Sequence, residues 1–121
     1  MKDIKKYCVN EMAAIKEAVS IIQNNLSRCV IVLNDNKKVV GVFSEGDVLR
    51  AIMQDIDLHT PLKKILSPTF LYLKEDDMAK AYGLVKKYGI TLVPVIDDDF
   101  RLQNVITIYD VMEHLKLENG R

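Results

Sequence analysis

Two pairs of residues have the types and spacing for ligand chemistry: Ser44-x-x-Asp47 and Thr107-x-x-Asp110. In each, a hydroxyl stands three positions ahead of a carboxylate, between a β-branched apolar run and an amphipathic stretch. On a helix this spacing brings both side chains to the first turn. The arrangement has two uses. It is the capping-box pattern, in which the hydroxyl takes the third amide and the carboxylate turns back to the cap amide. It also suits a ribose phosphate. A helix start offers unpaired N–H groups and the positive end of the dipole to a phosphate, and the hydroxyl donates to the same group. A carboxylate has only acceptors to offer, and the 2′,3′-diol of ribose has two donors to give. A single occurrence reads as a cap by default. Two at one fixed distance need a further explanation.

That distance runs through most of the chain. A shift of 63 positions places Gly41–Leu49 on Asn104–Met112, and pairs Ala18 with Ala81, Val30 with Val93, Val32 with Val95 and Asp35 with Asp98. Internal repetition at a fixed period means one supersecondary unit used twice. A unit of about 60 residues is too small for a comfortable core of its own. Two copies packed face to face with pseudo-two-fold symmetry solve that, and create paired clefts.

The elements follow from periodicity and punctuation. Tyr7–Val9 reads as an extended start, and Asn10 as the cap of a helix with Met12, Ile15, Val19, Ile22 and Leu26 inward. Cys29–Leu33 and Val39–Phe43 read as strands around an Asn34–Lys37 turn, and Ser44 starts a helix carrying Val48, Leu49 and Ile52. In the middle, Thr60 and Pro61 are placed for the N-cap and first position of a short helix, and Pro68 bars its continuation. The cycle then repeats: a strand over Phe70–Leu73, a helix opened by Asp76 or Asp77 with Met78, Ala81, Tyr82 and Val85 inward, and Gly89 at its end. Strands over Leu92–Ile96 and Leu102–Ile106 flank the Asp97–Asp99 turn, and Thr107 starts a helix with Val111, Met112 and Leu115 inward. The fold class is α/β (α+β), two tandem β-α-β-β-α repeats, with boundaries at 1–58 for the first, 59–68 for the connector and 69–121 for the second.

Composition narrows the function. Of 121 residues, 49% are hydrophobic, enough for a core; seventeen basic and seventeen acidic residues cancel, which removes the footprint of a nucleic-acid or anionic-membrane binder. The longest purely apolar run, Cys29–Leu33, is far short of a membrane span, and the N-terminus does not read as a signal peptide. Cys8 and Cys29 show no metal or redox spacing, which points to a reducing, cytoplasmic setting. His59 and His114 lack partners at metal spacing, and the Asp97–Asp99 run lacks that of a calcium loop. No nucleophile–base–acid series stands out, so the reading is not an enzyme, with no metal and no cofactor.

Here the chain resembles a known family. The strand–turn–strand leading into Gly41-Val42-Phe43-Ser44-x-x-Asp47 is similar to the signature of the CBS domain, and Gly89-Ile90-Thr91-Leu92-Val93-Pro94-Val95 to the family's lead into its central strand. Two copies in register resemble a CBS pair, or Bateman module, over roughly residues 5–117. The resemblance implies a regulatory module that binds an adenosine-containing ligand (AMP, ADP or ATP, with S-adenosylmethionine behind them) in clefts between the repeats and biases a tethered or partner protein. It assigns the riboses to Asp47 and Asp110, the phosphates to Ser44 and Thr107, and the bases to the surroundings of Ser27–Cys29 and of Ile90, Val93 and Pro94. Arg28 and Arg50 lie near the expected phosphate end of the first site; a solvated helix charge is the plainer account of Arg50. Gly46–Ile52 followed by Ile56–Leu66 is also similar to the CBS pair placed before sugar-nucleotide pyrophosphorylase domains, which implies a nucleotidyltransferase as the regulated partner.

The two sites are unequal. The first lacks the Gly-Ile and Pro-Val signature; the second has it but carries Asp97–Asp99 and Glu113, with Asn104 for the usual Gly and Tyr109 at an expected small position. The competing reading is a ligand-free scaffold, a homodimer through the helices, with Val48, Ile52, Val111 and Leu115 near the interface and the two motifs serving only as caps.

Overall fold

The computed structural model describes residues 2–119, with the side chain of Asn119 left out. It divides into two compact units, Met1–Phe70 and Leu71–Arg121.

In the first unit a 3-10 turn, Ile4–Tyr7, leads into β1 (Cys8–Asn10), then α1 (Ile15–Asn25), β2 (Cys29–Leu33), β3 (Val39–Ser44) and α2 (Glu45–Met53). β1 pairs parallel with β2, and β2 antiparallel with β3. The central β2 is buried along nearly its whole length, as its unbroken apolar run requires, while β3 alternates buried and half-buried residues. Val9, Ile15, Ile22, Val30, Val32 and Phe43 form the centre of the core, and Ile56, Leu58, Ile65 and Leu66, which follow α2, pack against it.

The second unit holds α3 (Met78–Tyr88), β4 (Leu92–Ile96), β5 (Leu102–Thr107) and α4 (Ile108–Asn119). β4 and β5 pair antiparallel around Ala81, Val95, Ile106 and Val111.

The 63-residue shift holds at the level of atoms. It maps the bounds of α1, β2 and β3 onto those of α3, β4 and β5, and the start of α2 onto the start of α4. It also maps the irregularity at Val32/Leu33 onto that at Val95/Ile96. The hairpin turns match bond for bond. Asn34 Oδ1 accepts from the amides of Asn36 and Lys38, and Asp97 Oδ1 from those of Asp99 and Arg101. Lys37 and Phe100 take the left-handed conformation at the same place.

The structure departs from the sequence expectations at definite points. Residues 70–73 form no strand; only Leu73 bridges to Val95, its amide bonding Pro94 O and its carbonyl the amide of Ile96. The next donor needed to extend that parallel ladder toward Leu71 is the amide of residue 94, and proline has none. The corresponding residue of β2 is Ile31, which keeps its amide, and β1 pairs over three residues.

Asn10 does not cap α1. It ends β1 and its side chain accepts from the amide of Met12, so the chain turns once more before the helix begins at Ile15. The cap residue is Ala14, which has no side-chain acceptor. The end of the first repeat and the start of the connector supply the acceptors instead: the amides of Ile15 and Lys16 donate to Thr60 O and Leu58 O, both at 3.0 Å. Thr60 is thereby used as a carbonyl, and in place of the helix expected to be capped by Thr60 with Pro61 at its first position there is a 3-10 turn, Leu62–Lys64, with Pro61 at its cap.

Met12, Leu26, Tyr82 and Met112 are exposed rather than inward. The helices bury narrower stripes than their composition allows.

Both α1 and α3 end on a left-handed residue, Leu26 (φ 62°) and Gly89 (φ 67°). Leucine in that conformation carries a steric cost of about 1–2 kcal/mol that glycine does not, and Leu26 is 70% exposed, so its side chain returns little burial. Leu26→Gly is therefore expected to stabilise the fold by about 0.5–1 kcal/mol, raising the thermal midpoint by a few degrees. An unchanged or lowered midpoint would show that Leu26 is not strained.

Candidate functional site

Each hydroxyl–carboxylate pair sits where a strand runs directly into a helix. Ser44 ends β3 and caps α2, with extended backbone (φ −110°, ψ 170°) that turns its side chain over the first helical turn. Asp47 N donates to Ser44 Oγ at 3.2 Å, and Asp47 Oδ2 accepts from Ser44 N at 2.8 Å and Ser44 Oγ at 3.0 Å. Thr107 and Asp110 repeat all three bonds, at 3.2, 2.8 and 3.2 Å. Each start is also tied to the residue just before the first strand of its hairpin, β2 or β4: Glu45 N donates to Arg28 O at 3.0 Å, and Ile108 N to Thr91 O at 2.8 Å.

The capping reading of the motifs is thus satisfied in full. The ligand reading keeps its geometry, since the same turn presents hydroxyl, carboxylate and helix amides together.

Of the sequence candidates in the first unit, the fold brings together Ser44, Asp47 and Arg50. Arg50 pairs with Asp47 Oδ1 through Nη2. The guanidinium leans back over Gly46: a Cβ built there would lie 3.6 Å from Ser44 Oγ and 3.7 Å from Arg50 Nη1. Arg28 joins through its carbonyl, and its side chain is exposed. Ser27 is buried in the loop before β2, where its amide donates to Asn25 Oδ1 and Asn25 Nδ2 donates to Cys29 O. Its hydroxyl is therefore held within the loop, near Asn25 O.

In the second unit Thr107 and Asp110 lie together, Val93 and Pro94 are buried within β4, and Ile90 is half-buried just before it. Glu113 holds on α4 the place that Arg50 holds on α2.

A cleft of about 340 Å³ opens beside Asp47 and Arg50. Its floor is Val42, Phe43 and Ala51; its walls include Gln54 of α2 and Ile65, Leu66 and Ser67 of the connector. Those wall residues were not among the sequence candidates. One signal for them existed. Gly41 lies inside a strand, where glycine marks a close approach, and a Cβ on it would meet Leu66 Cδ2 at 2.7 Å. In the second repeat Asn104 fills that place, and its side-chain Nδ2 donates to Asp76 Oδ2 at 2.9 Å.

Burial pushes the Cys8 thiol up to about 11, with Asp3 adding to the rise and Lys37 opposing it, so this cysteine stays protonated at neutral pH. Among the described residues no group of three His, Cys, Asp or Glu side chains assembles as a metal site, and no helix is long and apolar enough to cross a membrane.

Two copies of one α/β unit, each with a helix that opens on a hydroxyl–carboxylate cap, define a tandem-repeat module. The chain belongs to the CBS domain family, whose model matches residues 1–54 and 62–117. It is 29% identical over 104 residues to a homoserine O-acetyltransferase of Methanobrevibacter ruminantium, covering 85% of this chain and 20% of that protein. The chain thus spans about a fifth of the length of that relative. Among solved structures it is similar to a CBS domain protein from Pyrobaculum aerophilum complexed with AMP (TM-score 0.73, 23% identity, 97% of this chain and 99% of that one). It is also similar to the CBS domain pair of protein MJ0100 in complex with 5′-methylthioadenosine and S-adenosyl-L-methionine (TM-score 0.75, 19% identity, 93% and 89% covered).

The capping bonds set an expectation for the unliganded protein. Ser44→Ala and Thr107→Ala should each cost about 1 kcal/mol, read from urea unfolding midpoints. Losses near zero would mean that the caps do not hold these helix starts.

Proposed function

We propose that this chain is a regulatory module that binds an adenosine-containing nucleotide (AMP, ADP or ATP) and passes its occupancy to a tethered or partner enzyme. Asp47 and Asp110 take the ribose diols, and Ser44 and Thr107, with the amides of their helix starts, take the phosphates. The base lies against the residues near each motif: the surroundings of Ser27–Cys29 for one, Ile90, Val93 and Pro94 for the other. The observation that carries the reading is the pair of identical hydroxyl–carboxylate caps at one offset, one of them opening on a cleft of about 340 Å³. A cap alone needs no cleft beside it. The AMP bound to the Pyrobaculum aerophilum protein and the adenosyl compounds bound to MJ0100 support the ligand class. S-adenosylmethionine ranks behind the nucleotides, because Arg50 beside the first site favours an anion.

Regulation follows from differential affinity. A ligand shifts a conformational equilibrium only as far as it binds one state better than another. The likeness of Gly46–Ile52 and Ile56–Leu66 to the module that precedes sugar-nucleotide pyrophosphorylase domains supports a nucleotidyltransferase as the partner.

One observation favours a second role, self-association. Leu49, Ile52 and Met53 of α2 are 63%, 50% and 83% exposed, and beside them a hollow of about 280 Å³ is lined by Val19, Ile22 and Val48. The interface residues named from sequence need correction. Val111 is buried in the core of its own unit with Leu115 packed against it, so the exposed α4 residues Tyr109, Met112 and Leu117 take their place.

Thermal unfolding with saturating AMP should raise the midpoint by several degrees, since a ligand at a hundred times its Kd adds about 2.7 kcal/mol. Asp47→Ala or Asp110→Ala should shrink that ligand-induced rise while lowering the unliganded midpoint only by the cost of a cap. No rise with AMP, ADP or ATP would end the nucleotide reading. Sedimentation should show a dimer whose mass does not depend on nucleotide; a monomer at every concentration would remove the second role.

A further inference from the structure

The proposed first site contains a pairing that its repeat does not. We propose that Arg50 makes this site selective for the phosphorylated form of its adenosine ligand, by guarding Asp47 until a phosphate takes its guanidinium. This rests on the adenosine reading given under Proposed function.

Three observations carry the inference. Asp47 Oδ1, an oxygen a ribose diol would need, is engaged by Arg50 Nη2. The pair is exposed, 67% at Arg50 and 32% at Asp47, so it contributes little to stability and exchanges partners at little cost. And the guanidinium shares the space over Gly46 with Ser44 Oγ, beside the amides that open α2. A short swing would move it from the carboxylate to an anion held at that helix start.

The consequence differs between ligands. An unphosphorylated nucleoside must take Asp47 from Arg50 and gives the guanidinium nothing in return. A nucleoside phosphate offers it oxygens that match its planar fork. Arg50 therefore works against adenosine and for AMP. At the same position of the second repeat stands Glu113, and Tyr109 replaces Gly46, so neither the positive charge nor the open space recurs.

The test is a titration of the isotope-labelled full chain with AMP and with adenosine, following the amides of residues 44–50 by NMR. These report the first repeat separately from residues 107–113. The parent should bind AMP more tightly than adenosine by at least about tenfold, the lower end of what a hydrogen bond to a charged group contributes. In Arg50→Gln the two affinities should converge, through weaker AMP binding and unchanged or tighter adenosine binding. Arg50→Lys should keep part of the preference, and Arg50→Glu, which copies the second repeat, should favour adenosine. An AMP preference of the same size in the parent and in Arg50→Gln overturns this inference and leaves the adenosine reading standing. No response of residues 44–50 to either compound, in the parent or any variant, overturns the adenosine reading of the first site and this inference with it; no response of residues 107–113 either overturns the reading for both repeats.

Discussion

Every helix in this protein begins with amides that no helical carbonyl can reach, and the fold is organised by how those amides are satisfied. α2 and α4 use the hydroxyl and carboxylate of their own first turns. α3 uses Asp77, whose carboxylate accepts from Lys80 N. α1 has an alanine at its cap and depends on the carbonyls of Leu58 and Thr60. That last solution ties the connector to the first unit. Leu62 and Lys63 return the connection by donating to Ala13 O and Glu11 O. With the connector held there, Leu62 is fully buried and Ile65 and Leu66 reach the core and the cleft.

The same constraint explains why the candidate sites are where they are. A capped helix start is a place where donors, an acceptor and a dipole already converge, and little further change is needed for a ligand to use them. The cap and the site are therefore two uses of one geometry. What separates the two repeats is what lies around it: Arg50 and open space over Gly46 in one, Glu113 and Tyr109 in the other. Several backbone irregularities recur while side chains diverged. The bulges and the left-handed residues Lys37 and Phe100 coincide, and so do the left-handed helix ends, which are Leu26 and Gly89; the strand position that meets Leu66 as Gly41 is Asn104 in the second repeat, bonded to Asp76.

Much of this was legible in the residue string. Strands β2 to β5 and the helix starts at Ser44, Asp77 and Thr107 follow from apolar runs and cap residues, because both signals are local. The paired motifs were legible for the same reason: their partners lie three residues apart. The Asp97–Asp99 run could be assigned to a turn because aspartate side chains bond amides two and four residues on. The missing strand at residues 70–73 was a failure of combination rather than of signal. Pro94 was in view, but its effect falls on a strand twenty residues earlier.

The residue string alone records the repeat, strands β2 to β5 and the caps at Ser44 and Thr107, since the strands and caps depend on residues within a few positions of one another and the repeat is a comparison of the string with itself. Only the tertiary structure decided which carbonyls cap α1, which helix stripes stay exposed, and which residues wall the cleft at Asp47. Those depend on segments distant in sequence meeting in space, as Leu66 meets Gly41 and Thr60 meets Ile15. No local periodicity records such a meeting; it follows from the requirement that every buried polar group and apolar face find a partner.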